Sequence, residues 1–298
     1  MKILLFGKNG QVGWELQRSL APLGQVIALD RHSPELCGDL ADLRGIGDTV
    51  RRVQPGVIVN AAAYTAVDKA EGDVETAHVV NTEAAGALAE AATVVGAWLV
   101  HYSTDYVFDG SGDIPWKEDD PTGPLGVYGR TKLEGERRIV AACQKHLVLR
   151  TSWVYAARGG NFAKTMLRLA RERDRLAVVD DQFGAPTGAD LLADVTAHMV
   201  RALAVSSSGN LGGTYHLAAA GQTSWHAYAR FVLDCASEAG VALKATSSAV
   251  DPVPTTAFPT PAVRPRNSRL NTAKLRTHFG LTLPEWQQGV ARMLTEIT

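Results

Sequence analysis

Tyr128 and Lys132 stand four residues apart in Val127-Tyr128-Gly129-Arg130-Thr131-Lys132, and Ser103-Thr104-Asp105 lies upstream of them. On a helix, that spacing puts a phenol and an ammonium on one face, one turn apart. A phenol with an ordinary pKa of about 10 is a poor proton donor near neutrality. A positive charge beside it favours the phenolate and brings the group toward the working pH. A Ser/Thr hydroxyl upstream can hold a substrate oxygen at the same point. A solvated helix face also produces Tyr-x-x-x-Lys by chance, so the pair gains weight only from the motifs around it.

The first of these is Gly7-Lys8-Asn9-Gly10-Gln11-Val12-Gly13, which follows a strand-like run and opens a helix. Gly-x-x-Gly-x-x-Gly is one residue longer than the commoner dinucleotide fingerprint, but its physical demands are the same. The turn needs φ > 0, the backbone must approach a pyrophosphate, and helix and strand must pack closely. Phosphates would sit at the helix N-terminus, on free amides and the positive end of the macrodipole. Asp30, seventeen residues after Gly13, ends the second strand and can accept hydrogen bonds from a ribose. Arg31 follows it and could hold a 2′-phosphate instead, so the pair leaves NADH versus NADPH open. Asp39 and Leu40 are placed to meet the adenine edge, or form a surface turn. Ala61-Ala62-Ala63 offers small side chains where backbone must approach a cofactor.

These residues need a scaffold of alternating strands and helices. Strands are expected at Ile3–Phe6 and Val26–Leu29, with a helix between them ending near Pro22-Leu23-Gly24. A third unit holds Asp39 and a helix around Gly45–Val53, so Val57–Asn60 counts as the fourth strand. Glu83–Val95 is an alanine-rich helix stopped by Gly96. Trp98–Ser103 is the fifth strand, Thr131–Gln144 continues the Tyr-Lys helix, and Leu147–Ser152 is the sixth strand. The alternation implies an α/β chain with a parallel sheet covered on both faces.

Beyond residue 155 the pattern loosens. A basic helix (Asn161–Arg173) and a strand (Leu176–Val179) lead to the loop Asp181–Thr187. Helix Ala189–Ala204 and strand Thr214–Leu217 return to the sheet, with Ser206–Gly209 a surface turn between them. A helix at Ser224–Ala239 follows, then a stretch from Asp251 to Pro265 holding five of the thirteen prolines, which reads as a pinned loop. A helical region closes the chain.

Composition bounds the remaining possibilities. The 298 residues, 46% hydrophobic and 20% charged, describe an ordinary globular protein with room for a sizeable core. A net charge of -1 without a basic stripe argues against nucleic acid. Cys37, Cys143 and Cys235 are scattered, and the eight histidines show no metal-ligand spacing. No apolar stretch reaches the roughly 18 residues of a membrane span. With a strand-like run beginning at Lys2, no signal peptide is expected, and the chain reads as soluble and cytoplasmic.

In combination these pieces resemble the extended branch of the short-chain dehydrogenase/reductases, and within it the dTDP-4-dehydrorhamnose reductase family. The matching strings are Leu5–Leu16, Asn60–Glu71, Tyr102–Gly110, Arg150–Tyr155, Asp181–Thr187 and Arg264–Leu270, so the resemblance covers nearly the whole chain. It implies a Rossmann-type doubly wound parallel sheet with a smaller, mainly C-terminal substrate domain. Residues 1–155 with about 185–219 would bind the dinucleotide, and about 156–184 with 220–298 the sugar nucleotide. The implied reaction is reduction of the 4-keto group of dTDP-4-dehydro-6-deoxy-L-mannose, giving dTDP-L-rhamnose for bacterial surface polysaccharide such as O-antigen.

Carried over by that resemblance, Tyr128 is the proton donor, Lys132 binds the nicotinamide ribose and tunes the tyrosine, and Thr104 orients the substrate oxygen. Asp105 meets the sugar and Trp153 lines its pocket. Gly7, Gly10, Gln11, Val12, Gly13, Asp30, Asp39, Leu40, Ala63, Tyr64, Thr65 and Tyr102 surround the NADH or NADPH, together with Tyr128 and Lys132. For the nucleotide end, Trp153, Phe258 and Arg264 are candidate contacts, the last two by position in the proline-rich loop alone, and Phe258 fits ordinary packing better. Similar enzymes can carry Mg²⁺ between the subunits of a homodimer, and the matching carboxylates are Glu15, Asp190 and Glu296. A dehydratase would want a second carboxylate where Tyr106 stands. An epimerase would use the same Tyr and Lys, and a non-catalytic regulatory subunit would have no need of them.

Overall fold

The computed structural model describes residues 1–205 and 211–298, so the turn expected at Ser206–Gly209 lies outside the described residues. Strands β1 (Lys2–Phe6), β2 (Gln25–Leu29), β3 (Val57–Asn60), β4 (Trp98–Thr104) and β5 (His146–Thr151) form one sheet with Gly213–His216. All six are parallel, in the order 213–216, β5, β4, β3, β1, β2. Residues alternate across this sheet as the two-residue period requires. Ile3, Leu5, Val57 and Val59 face one layer, which includes helix α1 (Gln11–Leu20) and the Ala189–Val205 helix. Leu4, Phe6, Ile58 and Leu99 face the other, made by α2 (Leu43–Val53), the Ala84–Val95 helix and the Val127–Ala142 helix.

The chain runs from β1 out to β2, then crosses back so that β3 lies on the other side of β1. That reversal is a topological switch point, where a crevice opens at the carboxyl ends of β1 and β3. The unit around Asp39, counted as a strand in numbering Val57–Asn60 the fourth, contains none. The Asp39 side chain accepts from Ala41 N at 3.0 Å and its carbonyl accepts from Asp42 N at 3.1 Å. This local carboxylate turn takes the place of a ladder. Asp42 then caps α2 by accepting from Gly45 N at 2.8 Å.

A third core lies off the sheet. It gathers Met166, Leu167, Tyr228, Val232, Trp286 and Val290 from the Phe162–Glu172, Trp225–Glu238 and Trp286–Ile297 helices, with Tyr155 and Leu176 from the strands Val154–Tyr155 and Leu176–Val179. Leu275 and Leu283 belong instead to the sheet layer, so the chain returns to the sheet between residues 273 and 283. The proline-rich stretch is less irregular than expected. Val250–Val253 is a strand paired in parallel with Leu176–Val179, Pro252 included. A two-stranded ribbon leaves one edge of each strand unpaired, and a missing N–H costs nothing there. The remainder holds one 3-10 turn, Thr255–Ala257, and is otherwise irregular, tied down where Asp68 accepts from Arg264 Nη2 at 2.7 Å.

Candidate active site

The glycine turn needs its glycines for packing. Gly7 has φ +88°, and a Cβ on Gly13 would lie 2.0 Å from the Gly7 carbonyl oxygen. Only Gly13 lets α1 start this close to β1, which leaves Gly10, Gln11 and Val12 as the rim of a cleft of about 730 Å³. Asp30, Asp39 and Leu40 line one end of it, and Ala63 and Thr65 one wall. Thr104, Asp105, Tyr128, Lys132 and Trp153 line the other end. Gly7 and Tyr102 also reach the lining. Two expected cofactor residues stand apart. Gly13 acts through packing, and the Tyr64 phenol turns away to donate to Asp73 at 2.9 Å.

Asp30 is held by its neighbours: Asn9 Nδ2 donates to it at 2.5 Å, His32 N at 2.8 Å, and Lys8 Nζ lies 3.5 Å away. The His32 amide above all keeps this carboxyl below its ordinary range. Arg31 and His32 line the cleft beside it. This end therefore offers a ribose acceptor and cations together, a donor set that fits an adenosine with or without a 2′-phosphate.

Tyr128 and Lys132 sit in the first two turns of the Val127–Ala142 helix. Glu71 caps its start by accepting from Val127 N at 2.8 Å. Gly129 lets the helix lie against the backbone at Tyr106, since a Cβ there would meet the Tyr106 carbonyl oxygen at 2.2 Å. The Tyr106 ring meets Tyr128 edge-on, with centroids 5.5 Å apart.

The phenol is not tuned as the four-residue spacing suggested. Burial pushes Tyr128 up to about 12, and hydrogen bonding with Thr104 is the influence that pulls it down. The Lys132 amine is committed elsewhere, 2.6 Å from the Tyr102 carbonyl oxygen and 3.0 Å from His101 Nε2. Burial lowers Lys132 to about 8, and Glu136, one turn further on, opposes this. A helical i, i+4 spacing places two groups on one face without making their heads meet, and here the strand below takes the amine.

Thr104 Oγ1 donates to Asp105 Oδ1 at 3.1 Å and accepts from Tyr106 N at 3.2 Å. Asp105 is buried, with Oδ2 unpartnered among the described residues, and desolvation raises its pKa to about 6. The Ser103 hydroxyl is committed to Glu136, which in turn accepts from Arg150 Nη2 at 2.7 Å and Nε at 3.0 Å. This buried ion pair was not foreseen from sequence. Tyr102 contributes its backbone carbonyl, since its phenol crosses to the opposite layer and meets Thr196 Oγ1 at 2.6 Å. Trp153 has φ +49° and stacks on Trp225 at 3.6 Å. Phe258 is exposed, and Arg264 pairs with Asp68 while its Nη1 has no hydrogen-bond partner among the described residues.

Of the three expected metal carboxylates, two meet on one arginine and the third is paired elsewhere. Glu15 pairs with Arg18, while Asp190 and Glu296 share Arg292, at 3.2 and 3.7 Å. Among the described residues no group of three His, Cys, Asp or Glu could hold a metal ion. No helix of the described residues is long and apolar enough to cross a membrane.

Comparison with known proteins agrees with this architecture. The family model described as "RmlD substrate binding domain" matches residues 1–298. The dTDP-4-dehydrorhamnose reductase of Salmonella typhimurium is 60% identical over 297 residues, covering 100% of this chain and 98% of that protein. The crystal structure of a Clostridium acetobutylicum dTDP-4-dehydrorhamnose reductase superposes with TM-score 0.88 at 36% identity, covering 99% of each chain. That of the Bacillus anthracis enzyme, in complex with NADP, gives TM-score 0.88 at 34% identity and 99% coverage of both chains. With a glycine turn at one end of its cleft and Thr104, Tyr128 and Lys132 at the other, this chain belongs to the dTDP-4-dehydrorhamnose reductase family of NAD(P)H-dependent oxidoreductases.

Proposed function

We propose that this chain reduces the 4-keto group of dTDP-4-dehydro-6-deoxy-L-mannose to give dTDP-L-rhamnose. The observation that carries the reading is that Thr104, Tyr128 and Lys132 line the same cleft as the Gly7–Val12 turn. A bound NADH or NADPH would supply the hydride to C4. Thr104 orients the C4 oxygen, and Tyr128 gives its proton to that oxygen as negative charge develops. Lys132 holds the nicotinamide ribose. A phenol raised by burial keeps its proton until an oxyanion of still higher basicity forms beside it, which suits a donor in the reductive direction. Asp105 and Trp153 meet the sugar, and Arg264 is placed for the nucleotide end.

The wider reading assigns residues 1–155 with about 185–219 to the dinucleotide and about 156–184 with 220–298 to the sugar nucleotide. It takes the protein as a cytoplasmic homodimer supplying surface polysaccharide such as O-antigen. Asp30 beside Lys8, Arg31 and His32 supports use of both NADH and NADPH. Asp190 is paired with Arg292, and no step runs through Mg²⁺.

The test is to follow 340 nm absorbance with each cofactor and the dTDP-4-keto sugar, with and without EDTA. Stoichiometric cofactor consumption, unaffected by EDTA, is expected. Sugar isomerisation with no net consumption would mark an epimerase and overturn the reading.

A further inference from the structure

The unassigned feature nearest the chemistry is the pair Asn60 and His101. They are register partners on β3 and β4, each 1% exposed, on the sheet face turned toward Lys132. Their hydrogen bonds can be followed outward from a donor of fixed identity. The Ala62 backbone N–H donates to Asn60 Oδ1 at 3.1 Å, which orients the amide. Asn60 Nδ2 therefore donates, and His101 Nδ1, 3.1 Å away, must accept. A neutral imidazole that accepts at Nδ1 carries its hydrogen on Nε2. That Nε2–H points at Lys132 Nζ, 3.0 Å distant. An ammonium has no lone pair to receive it, whereas a neutral amine can accept there and still donate to the Tyr102 carbonyl at 2.6 Å.

We propose that Asn60 and His101 are positioning residues that set the protonation state of Lys132. The Asn60–His101 hydrogen bond and the Lys132 ammonium exclude one another, because protonating Nζ requires Nε2 to become the acceptor and Nδ1 to take the hydrogen. Full burial of His101, with Lys132 beside it, keeps the ring neutral, so the exchange is between tautomers. The other charged or titratable groups around Lys132 are Glu136 with its partner Arg150, the Tyr128 phenol one turn back, and Asp105. None of them hydrogen bonds to Nζ among the described residues. The inference bears on turnover only through the proposed part of Lys132 in the reaction. It bears on the free protein directly.

The experiment is a pH titration of the full chain labelled with ¹⁵N-histidine and ¹⁵Nζ-lysine, with His101→Gln identifying the His101 signals. Wild-type His101 should be the Nε2–H tautomer at high pH and pass to Nδ1–H as Lys132 protonates, both changes sharing one midpoint. In Asn60→Asp a carboxylate accepts from Nδ1–H, so His101 should stay Nδ1–H throughout and the Lys132 midpoint should rise by about one pH unit or more. The tautomer separates this from a plain charge effect, and the wild-type titration decides the matter should the variant not fold. Nδ1–H in the wild type at high pH, or the same tautomer course in both proteins, overturns the proposal. In the folded variant the alkaline limb of kcat should move with the Lys132 midpoint. A fixed limb beside a moved midpoint upholds the pair and counts against Lys132's part in the reaction instead.

Discussion

Tyr128 faces a cleft it can serve only while its proton is mobile. Its phenol is raised to about 12 by burial and lowered by Thr104, so Tyr128→Phe should remove the donor and leave the walls standing. We expect kcat to fall by roughly 10²- to 10⁴-fold, with the dissociation constant for NADPH within a few-fold of wild type. Stopped-flow and equilibrium binding measure the two, and a variant that keeps its turnover would displace Tyr128 as the donor. Asp105 carries a stability cost. Its folded pKa of about 6 lies above the ordinary 3.8, so as pH rises between these values the unfolded chain ionises first and stability is lost. The gap is worth roughly 3 kcal/mol above pH 6. Asp105→Asn should therefore raise Tm at pH 7.5 and not at pH 3.5, and equal gains at both would contradict this. These side chains were legible because their types and order in Ser-Thr-Asp and Tyr-x-x-x-Lys carry the chemistry. What the Lys132 amine touches was not, because His101 and Tyr102 reach it through a strand register that no local spacing encodes.

Elements decide how closely those groups approach. The start of α1 sits against β1 only because Gly13 has no Cβ to strike the Gly7 carbonyl oxygen. Gly13→Ala should push the helix N-terminus off the turn and weaken dinucleotide binding by at least about tenfold, as a 1 Å misplacement can cost up to about 10²-fold. Isothermal titration would show it, and unchanged affinity would mean that the amides at the turn do not hold the phosphates. Between β5 and the Val127–Ala142 helix, Arg150 and Glu136 form a buried pair at 2.7 Å. Arg150→Met would leave Glu136 charged without its partner, at a cost of about 3–5 kcal/mol in urea unfolding. A loss within experimental error would show the pair to be solvent-compensated. Strand and helix positions on the sheet were readable from period and punctuation: Gly96 does stop its helix in the left-handed conformation. The missing strand at Asp39 and the extra one at Val250–Val253 were not. The first depends on a carboxylate turn, and the second on an edge that only tertiary structure provides.

At the scale of the whole molecule, the glycine turn is built on the sheet layers, whereas Trp153 leans on the third core, so the two ends of one cleft rest on different packing. Trp153, in its left-handed backbone, is wedged between Gly184 and Trp225. A Cβ at Gly184 would lie 2.6 Å from the Trp153 ring, and the stack on Trp225 at 3.6 Å leaves that ring no room to retreat. Gln182 accepts from the Trp225 indole at 3.2 Å and fixes the far side of the stack. Gly184→Ala must therefore displace the Trp153 indole into the sugar end of the cleft, or open the ribbon at Phe183–Gly184. Either movement leaves Gly7, Gly13 and their contacts untouched. We expect KM for the dTDP-4-keto sugar to rise by about tenfold or more, while the NADPH dissociation constant stays within a factor of two. Steady-state kinetics and cofactor titration on the same preparation would read both. A parallel loss of cofactor affinity would mean that the two ends of the cleft move as one body, and that the third core does not hold the sugar end on its own.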